Sequence, residues 1–144
     1  MTLDELREEW KKDCEIDTND LSKATVSGPI LHAKYLDALI SYKLKYTKLN
    51  SDIVEYRQLR TRYYKGELSR EELQEKNWDQ WQYKTLKSEI DNLISAEPNY
   101  LKLVLREDYI KAAIYYLESV LNEIRARSFH CKNLIEYMKF RAGA

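Results

Sequence analysis

The chain of 144 residues is the size of one domain, or of a helical core with a small appendage, and its 24 Lys and Arg balance 24 Asp and Glu. With only three Gly and two Pro, turns are scarce and helix must fill most of the sequence, while twelve Tyr and three Trp supply large rings for packing or stacking. Cys14 and Cys131 lie far apart without metal-ligand spacing, the opening residues are acidic rather than a signal segment, and no apolar run approaches the ~20 residues that cross a bilayer. These features exclude a disulfide scaffold and a membrane span, and lead us to expect a soluble intracellular protein with two free thiols.

Thr2-Leu3-Asp4-Glu5 is a capping box, and Leu3, Leu6, Trp10 and Cys14 mark one face of a short helix ending between Asp13 and Ile16. Asp17-Thr18 is placed to cap a second short helix through about Ala24, after which Ser27-Gly28-Pro29 breaks or kinks the direction. Residues 1–28 therefore read as a short N-terminal helical arm.

From Pro29 to Gly66 the chain reads as one long amphipathic rod, spanning on the order of 55 Å at about 1.5 Å per residue. Leu39, Tyr42, Tyr46, Leu49, Ile53, Tyr56, Arg60 and Tyr63 recur at alternating spacings of three and four, the seam of a helix packed lengthwise on another. Gly28 and Pro29 read as its start and Gly66 as a left-handed stop. Between Ile30 and Lys65 stand eight Lys and Arg against three acids, which leaves 16 bases against 21 acids elsewhere. The neutral total thus hides a basic rod in an acidic frame, a charge asymmetry that points to a partner. Ser69-Arg70-Glu71-Glu72 is a second capping box, opening a return helix through Leu73, Trp78, Trp81, Leu86, Ile90 and Leu93/Ile94 that ends before Glu97-Pro98. Residues 29–97 form the long basic helix and its return.

Residues 98–144 read as the C-terminal packing helix. Leu103, Ile110, Ile114, Leu117, Leu121, Ile124, Cys131, Ile135 and Met138 keep the three-four rhythm. A second set, Ala113, Tyr116, Val120, Leu134 and Tyr137, widens the face beyond one partner helix. We expect an all-α fold of long amphipathic helices packed lengthwise, completed by self-association into a homo-oligomer through Ile110, Ile114, Leu117, Leu121, Ile124, Ile135 and Met138.

No catalytic constellation appears: His32 and His130 are distant, and there is no Gly-rich phosphate loop, HExxH, CxxC or nucleophile elbow. An enzyme, a metal site and a cofactor are not expected. The basic end of the rod is where chemistry concentrates. At 100° per residue Arg57, Arg60 and Tyr64 share one face beside Lys65, with Arg62 nearby and Lys43, Lys45 and Lys48 further back. Cations for phosphates beside an aromatic platform for bases are what single-stranded nucleic acid needs. The same pattern also fits a solvated face of a coiled-coil adaptor that meets an acidic protein.

The chain resembles the UvsY-type recombination mediator proteins of T-even-like bacteriophages. The resemblance lies in the opening LDELREEWKKDCEID, in the length and position of the rod with its basic residues before Tyr63-Tyr64 and Gly66, in the closing IRARSFHCKNLIEYMKFRAG, and in total length. It implies a non-enzymatic factor that assembles into a ring of six or seven subunits in the cytoplasm of the infected bacterial host. Such a factor binds single-stranded DNA and, with the phage single-strand-binding protein, helps load a RecA-like phage recombinase. The family's basic-x-basic pair before Tyr-Tyr falls on Gln58-Leu59-Arg60. Only Arg60 carries over; Arg57 or Arg62 would supply the charge missing at Gln58.

Overall fold

A computed structural model describes residues 1–143. Five α-helices follow one another, α1 (Leu3–Asp13), α2 (Leu21–Tyr64), α3 (Arg70–Lys76), α4 (Lys87–Ser95) and α5 (Pro98–Arg141), with no strand among the described residues. The all-α expectation holds. The chain divides into two compact units, Met1–Leu44 with Lys111–Ala144, and Lys45–Ile110, so α2 and α5 each contribute to both.

In the first unit, α1 begins as its sequence dictates. The Thr2 hydroxyl accepts the N–H of Glu5, and the Glu5 carboxylate accepts the N–H of Thr2. Leu6 is fully buried, and Trp10 meets Tyr35 of α2 edge-on with ring centroids 5.6 Å apart. Lys34 bridges Glu9 and Asp13 at 2.8 and 2.7 Å, and the Tyr35 hydroxyl donates to the same Asp13 carboxylate at 2.8 Å. Burial alone would raise the Asp13 carboxyl, but the Lys34 and Tyr35 hydrogen bonds outweigh it and hold the group below the usual range. Arg127 of α5, buried in this unit, donates to the carbonyls of Asp13 and Glu15 at 2.9 and 3.0 Å and so closes the C-terminal end of α1.

Three expectations about the elements are corrected. The break at Ser27-Gly28-Pro29 does not occur: α2 starts at Leu21, where Asp20 accepts the N–H of Lys23, and runs unbroken through all three residues. Proline normally pushes the preceding residue out of the helical region by a clash with its Cβ, and Gly28 has none. The return helix is two short helices separated by residues 77–86. Asn77, at φ 55°, ends α3 with the pair of backbone bonds that Gly66, at φ 71°, uses to end α2: Asn77 to Gln74 and Trp78 to Leu73, as Gly66 to Tyr63 and Glu67 to Arg62. Asparagine is among the few residues that tolerate this conformation. The expected assembly residues of α5 are largely core. Ile110 is buried in the second unit, Leu117, Leu121 and Ile124 are buried and Ile114 half-buried in the first, and only Ile135 and Met138 are exposed. The buried seam keeps Ile110, Leu117, Leu121, Ile124 and Cys131 of the expected primary set and adds Ala113 and Val120 of the second set and Arg127.

The second unit closes around Tyr64, Ile90 and Ile94, with Tyr56, Tyr63, Trp81 and Tyr100 packed against them. Leu49 and Ile53 continue the expected seam of α2 as buried residues. The Ser69 hydroxyl accepts the N–H of Glu72, the forward half of the expected capping box.

Candidate nucleic-acid interface

The closing turns of α2 carry Tyr56, Arg57, Arg60, Arg62, Tyr63 and Tyr64, with Lys65 directly after them, within the second unit. The three- and four-residue spacing of Tyr56, Arg60, Tyr63 and Tyr64 turns all four inward, so the expected platform is built into the unit rather than laid on it. Glu97, immediately before α5, organises them. Its Oε1 accepts from Arg60 Nε at 2.8 Å and from the Tyr64 hydroxyl at 2.6 Å, and its Oε2 accepts a short hydrogen bond from the Tyr56 hydroxyl. The Arg60 and Glu97 side chains are 15% and 12% exposed, so this ion pair is withdrawn from water. The Arg60 guanidinium also lies 4.5, 5.0 and 4.7 Å from the ring centres of Tyr63, Tyr64 and Trp78. Burial and the hydrogen bond to the Glu97 carboxylate push the Tyr56 and Tyr64 hydroxyls above their ordinary pKa. For Arg60, burial works against the charge, but Glu97 and Tyr64 hold the guanidinium protonated more firmly than usual.

Tyr64 is therefore no open stacking face. Its ring is buried and meets Trp81 edge-on at 4.8 Å, while the Trp81 N–H donates to Thr85 at 3.0 Å. Arg60 likewise faces aromatic rings and a carboxylate rather than solvent. Sequence reasoning placed both on one face and set Arg60 in the packed seam, but offered the pair as an open binding platform.

The other cations remain at the surface. Arg57 donates to the Tyr100 hydroxyl at 2.9 Å, lies 5.3 Å from that ring's centre, and reaches Asp91 at 3.4 Å. Arg62 pairs with Glu72 at 3.2 Å. Lys65, Lys48 and Lys45 are exposed, and in the first unit Lys43 stands 3.7 Å from Glu118. Much of the basic rod is thus answered by its own acidic frame. Gln58 is exposed on α2, and Arg62, one turn further along, shares its side of the helix. The residues that sequence reasoning missed are Glu97, Tyr100 and Trp78, whose partners on α2 leave no local signature, and Asn77, which caps α3 in the left-handed conformation. Among the described residues, no group of His, Cys, Asp and Glu is arranged to hold a metal ion, and no helix is long and apolar enough to cross a membrane.

A family model described as recombination, repair and ssDNA binding protein UvsY matches residues 9–144. The recombination protein uvsY of Enterobacteria phage T4 is 27% identical over 143 residues, 99% of each chain. A crystal structure of the bacteriophage T4 recombination mediator protein UvsY, lattice type II, is similar with a TM-score of 0.83 and 25% identity, covering 99% of this chain and 98% of that one. The lattice type IV structure, at 24% identity and the same TM-score over 97% and 99% of the two chains, shares the fold.

Proposed function

The chain belongs to the UvsY family of recombination, repair and single-stranded-DNA-binding proteins, and from that premise we propose that it is a non-enzymatic recombination mediator whose α2 grips the phosphates of single-stranded DNA. The observation that carries this reading is the set of surface cations on the closing half of α2 and just past its end, Lys48, Arg57, Arg62 and Lys65, of which Arg57 and Arg62 hold ion pairs of 3.4 and 3.2 Å with carboxylates that stay open to solvent. Such pairs are worth ~0–1 kcal/mol, so a phosphate replaces the carboxylate at little cost. Arg62 takes the place of the charge missing at Gln58, because Arg57 is turned toward Tyr100. Arg60 contributes by holding the platform rather than by touching phosphate.

One such row binds weakly. A ring of several copies repeats it, and linked weak sites gain avidity without new contacts. Self-association is supported by the apolar side chains left uncovered on one chain: Val26, Ile30 and Leu44 of α2 and Phe140 of α5 are between 67% and 80% exposed. A strand wrapped over several subunits would be held in a shape that favours a RecA-like phage recombinase and loosens the phage single-strand-binding protein, in the cytoplasm of the infected host. The test is a fluorescence-anisotropy titration with labelled oligo-dT at several salt concentrations, with sedimentation of the same sample. Salt-sensitive binding by a multi-subunit species supports the reading. Absence of binding at low salt by a folded oligomer refutes it and favours a helical adaptor.

A further inference from the structure

Beside the Arg60–Glu97 pair the second unit holds a cavity of about 440 Å³, lined by Tyr56, Arg60, Tyr63, Asn77, Trp78, Asp79, Glu97, Pro98 and Asn99. We infer that this cavity takes a nucleobase of the bound strand, with Trp78 and Tyr63 as its aromatic wall, braced by the Arg60 guanidinium, and Asn77 and Asn99 at its polar rim. The inference rests on the single-stranded-DNA reading and names the part of the strand that this site receives.

Three observations point to a base rather than a phosphate. The charged side chains of the lining are Arg60 against Asp79 and Glu97, and Arg60 is already paired, so an incoming anion meets net negative charge. A neutral, flat group does not. The wall is aromatic: Tyr63 and Trp78 meet edge-on at 65° with ring centroids 5.4 Å apart, and the guanidinium, 4.5 and 4.7 Å from their centres, braces them. Aromatic and guanidinium planes are the surfaces on which unstacked bases settle. Finally, the rim presents hydrogen-bonding groups without protein partners. The Trp78 indole N–H, the amides of Asn77 and Asn99 and the Asp79 carboxylate make no hydrogen bond among the described residues, whereas the Trp81 N–H is satisfied by Thr85. An amide offers both a donor and an acceptor, so the rim meets any base edge and imposes little sequence preference.

Backbone geometry explains how the rim is presented. Asn77 ends α3 in the left-handed conformation, which turns the chain so that Trp78 follows back toward Tyr63, and the Tyr63 hydroxyl fixes the turn by donating to the Asp79 carbonyl at 2.6 Å. Asn77, Asp79, Pro98 and Asn99 are all exposed, so the cavity opens to solvent and a base still joined to its sugar can enter. Its volume falls within the ~300–1,000 Å³ of pockets that hold small ligands.

The test compares labelled oligo-dT with a strand of equal length built from abasic sites, each titrated by anisotropy against the intact protein. A stacking contact predicts that the abasic strand binds roughly 5- to 100-fold more weakly. Trp78→Ala and, as a variant that keeps the left-handed turn, Asn77→Gly combined with Asn99→Ala should each shrink that ratio while leaving the salt slope unchanged. Equal affinity for the two strands with a normal salt slope overturns the base pocket but leaves phosphate binding intact. An unchanged ratio in folded variants also overturns it, by moving the base elsewhere. Failure of both strands to bind at low salt overturns this inference together with the reading it rests on.

Discussion

Removing Arg60 should be first of all a folding lesion. Arg60→Ala leaves the Glu97 carboxylate 12% exposed with only the Tyr56 and Tyr64 hydroxyls as partners. Breaking a buried ion pair by deleting one member costs about 3–5 kcal/mol. The two tyrosines that stay on Glu97 and the residual exposure of both side chains bring the expected loss to about 2–3 kcal/mol, partly through the guanidinium's contacts with Tyr63, Tyr64 and Trp78. Because the partner charge causes most of the loss, Arg60→Met combined with Glu97→Gln should be less destabilised than the sum of the single changes, with a coupling of about 1–2 kcal/mol. Urea unfolding followed by tryptophan fluorescence reads this unit, since Trp78 and Trp81 both lie in it. A loss below about 0.5 kcal/mol for Arg60→Ala, or strict additivity in the cycle, would refute the account of Arg60 as a structural keystone.

Freeing the surface arginines should strengthen DNA binding: Glu72→Gln with Asp91→Asn removes the carboxylates that hold Arg62 and Arg57, and a several-fold gain in oligo-dT affinity is expected, read by anisotropy at low salt. Leu117→Ala, at a fully buried position, should cost about 2–5 kcal/mol of stability in chemical denaturation. Met138→Asp, at a half-exposed one, should leave the fold intact by circular dichroism and act only on self-association, seen in sedimentation. The Asp13 site should make the docking of α1 acid-sensitive. Its folded pKa lies below the unfolded 3.8, so its stabilisation is complete above that value and is lost as pH falls through the lower folded one. Asp13→Asn should lose about 1.5–3 kcal/mol at neutral pH and flatten the acid limb of a stability–pH profile.

What the sequence made legible was governed by local rules. The seam from Leu39 to Tyr63 is buried or half-buried at every position, because helix periodicity fixes which residues share a face. The Thr2 capping box and the Gly66 stop follow from neighbours within a few residues. Misreadings arose where a distant partner overrides a local preference. Pro29 signals a break, yet Gly28 before it removes the clash that would enforce one. Trp78 and Trp81 fit a helical stripe but are drawn out of it to Tyr63 and Tyr64. Arg127 sits in the seam of α5, where a charge reads as surface; carbonyls more than a hundred residues away bury it. The spacing of α2 turns Arg60 and Tyr64 inward, but nothing in it reveals the Glu97 carboxylate that receives them there.

The central claim, that surface cations of α2 hold the DNA backbone, is tested most directly by the salt dependence of oligo-dT affinity for Arg57→Gln, Arg62→Gln and Lys65→Gln combined, beside the unaltered protein. These side chains lie outside the core, so the fold is expected to survive. Each lost phosphate contact reduces the slope of log affinity against log salt by about 0.7 per protomer engaged, so three lost contacts predict a fall of about 2. A slope that stays the same in a folded triple variant would contradict the account and place the phosphates on another surface.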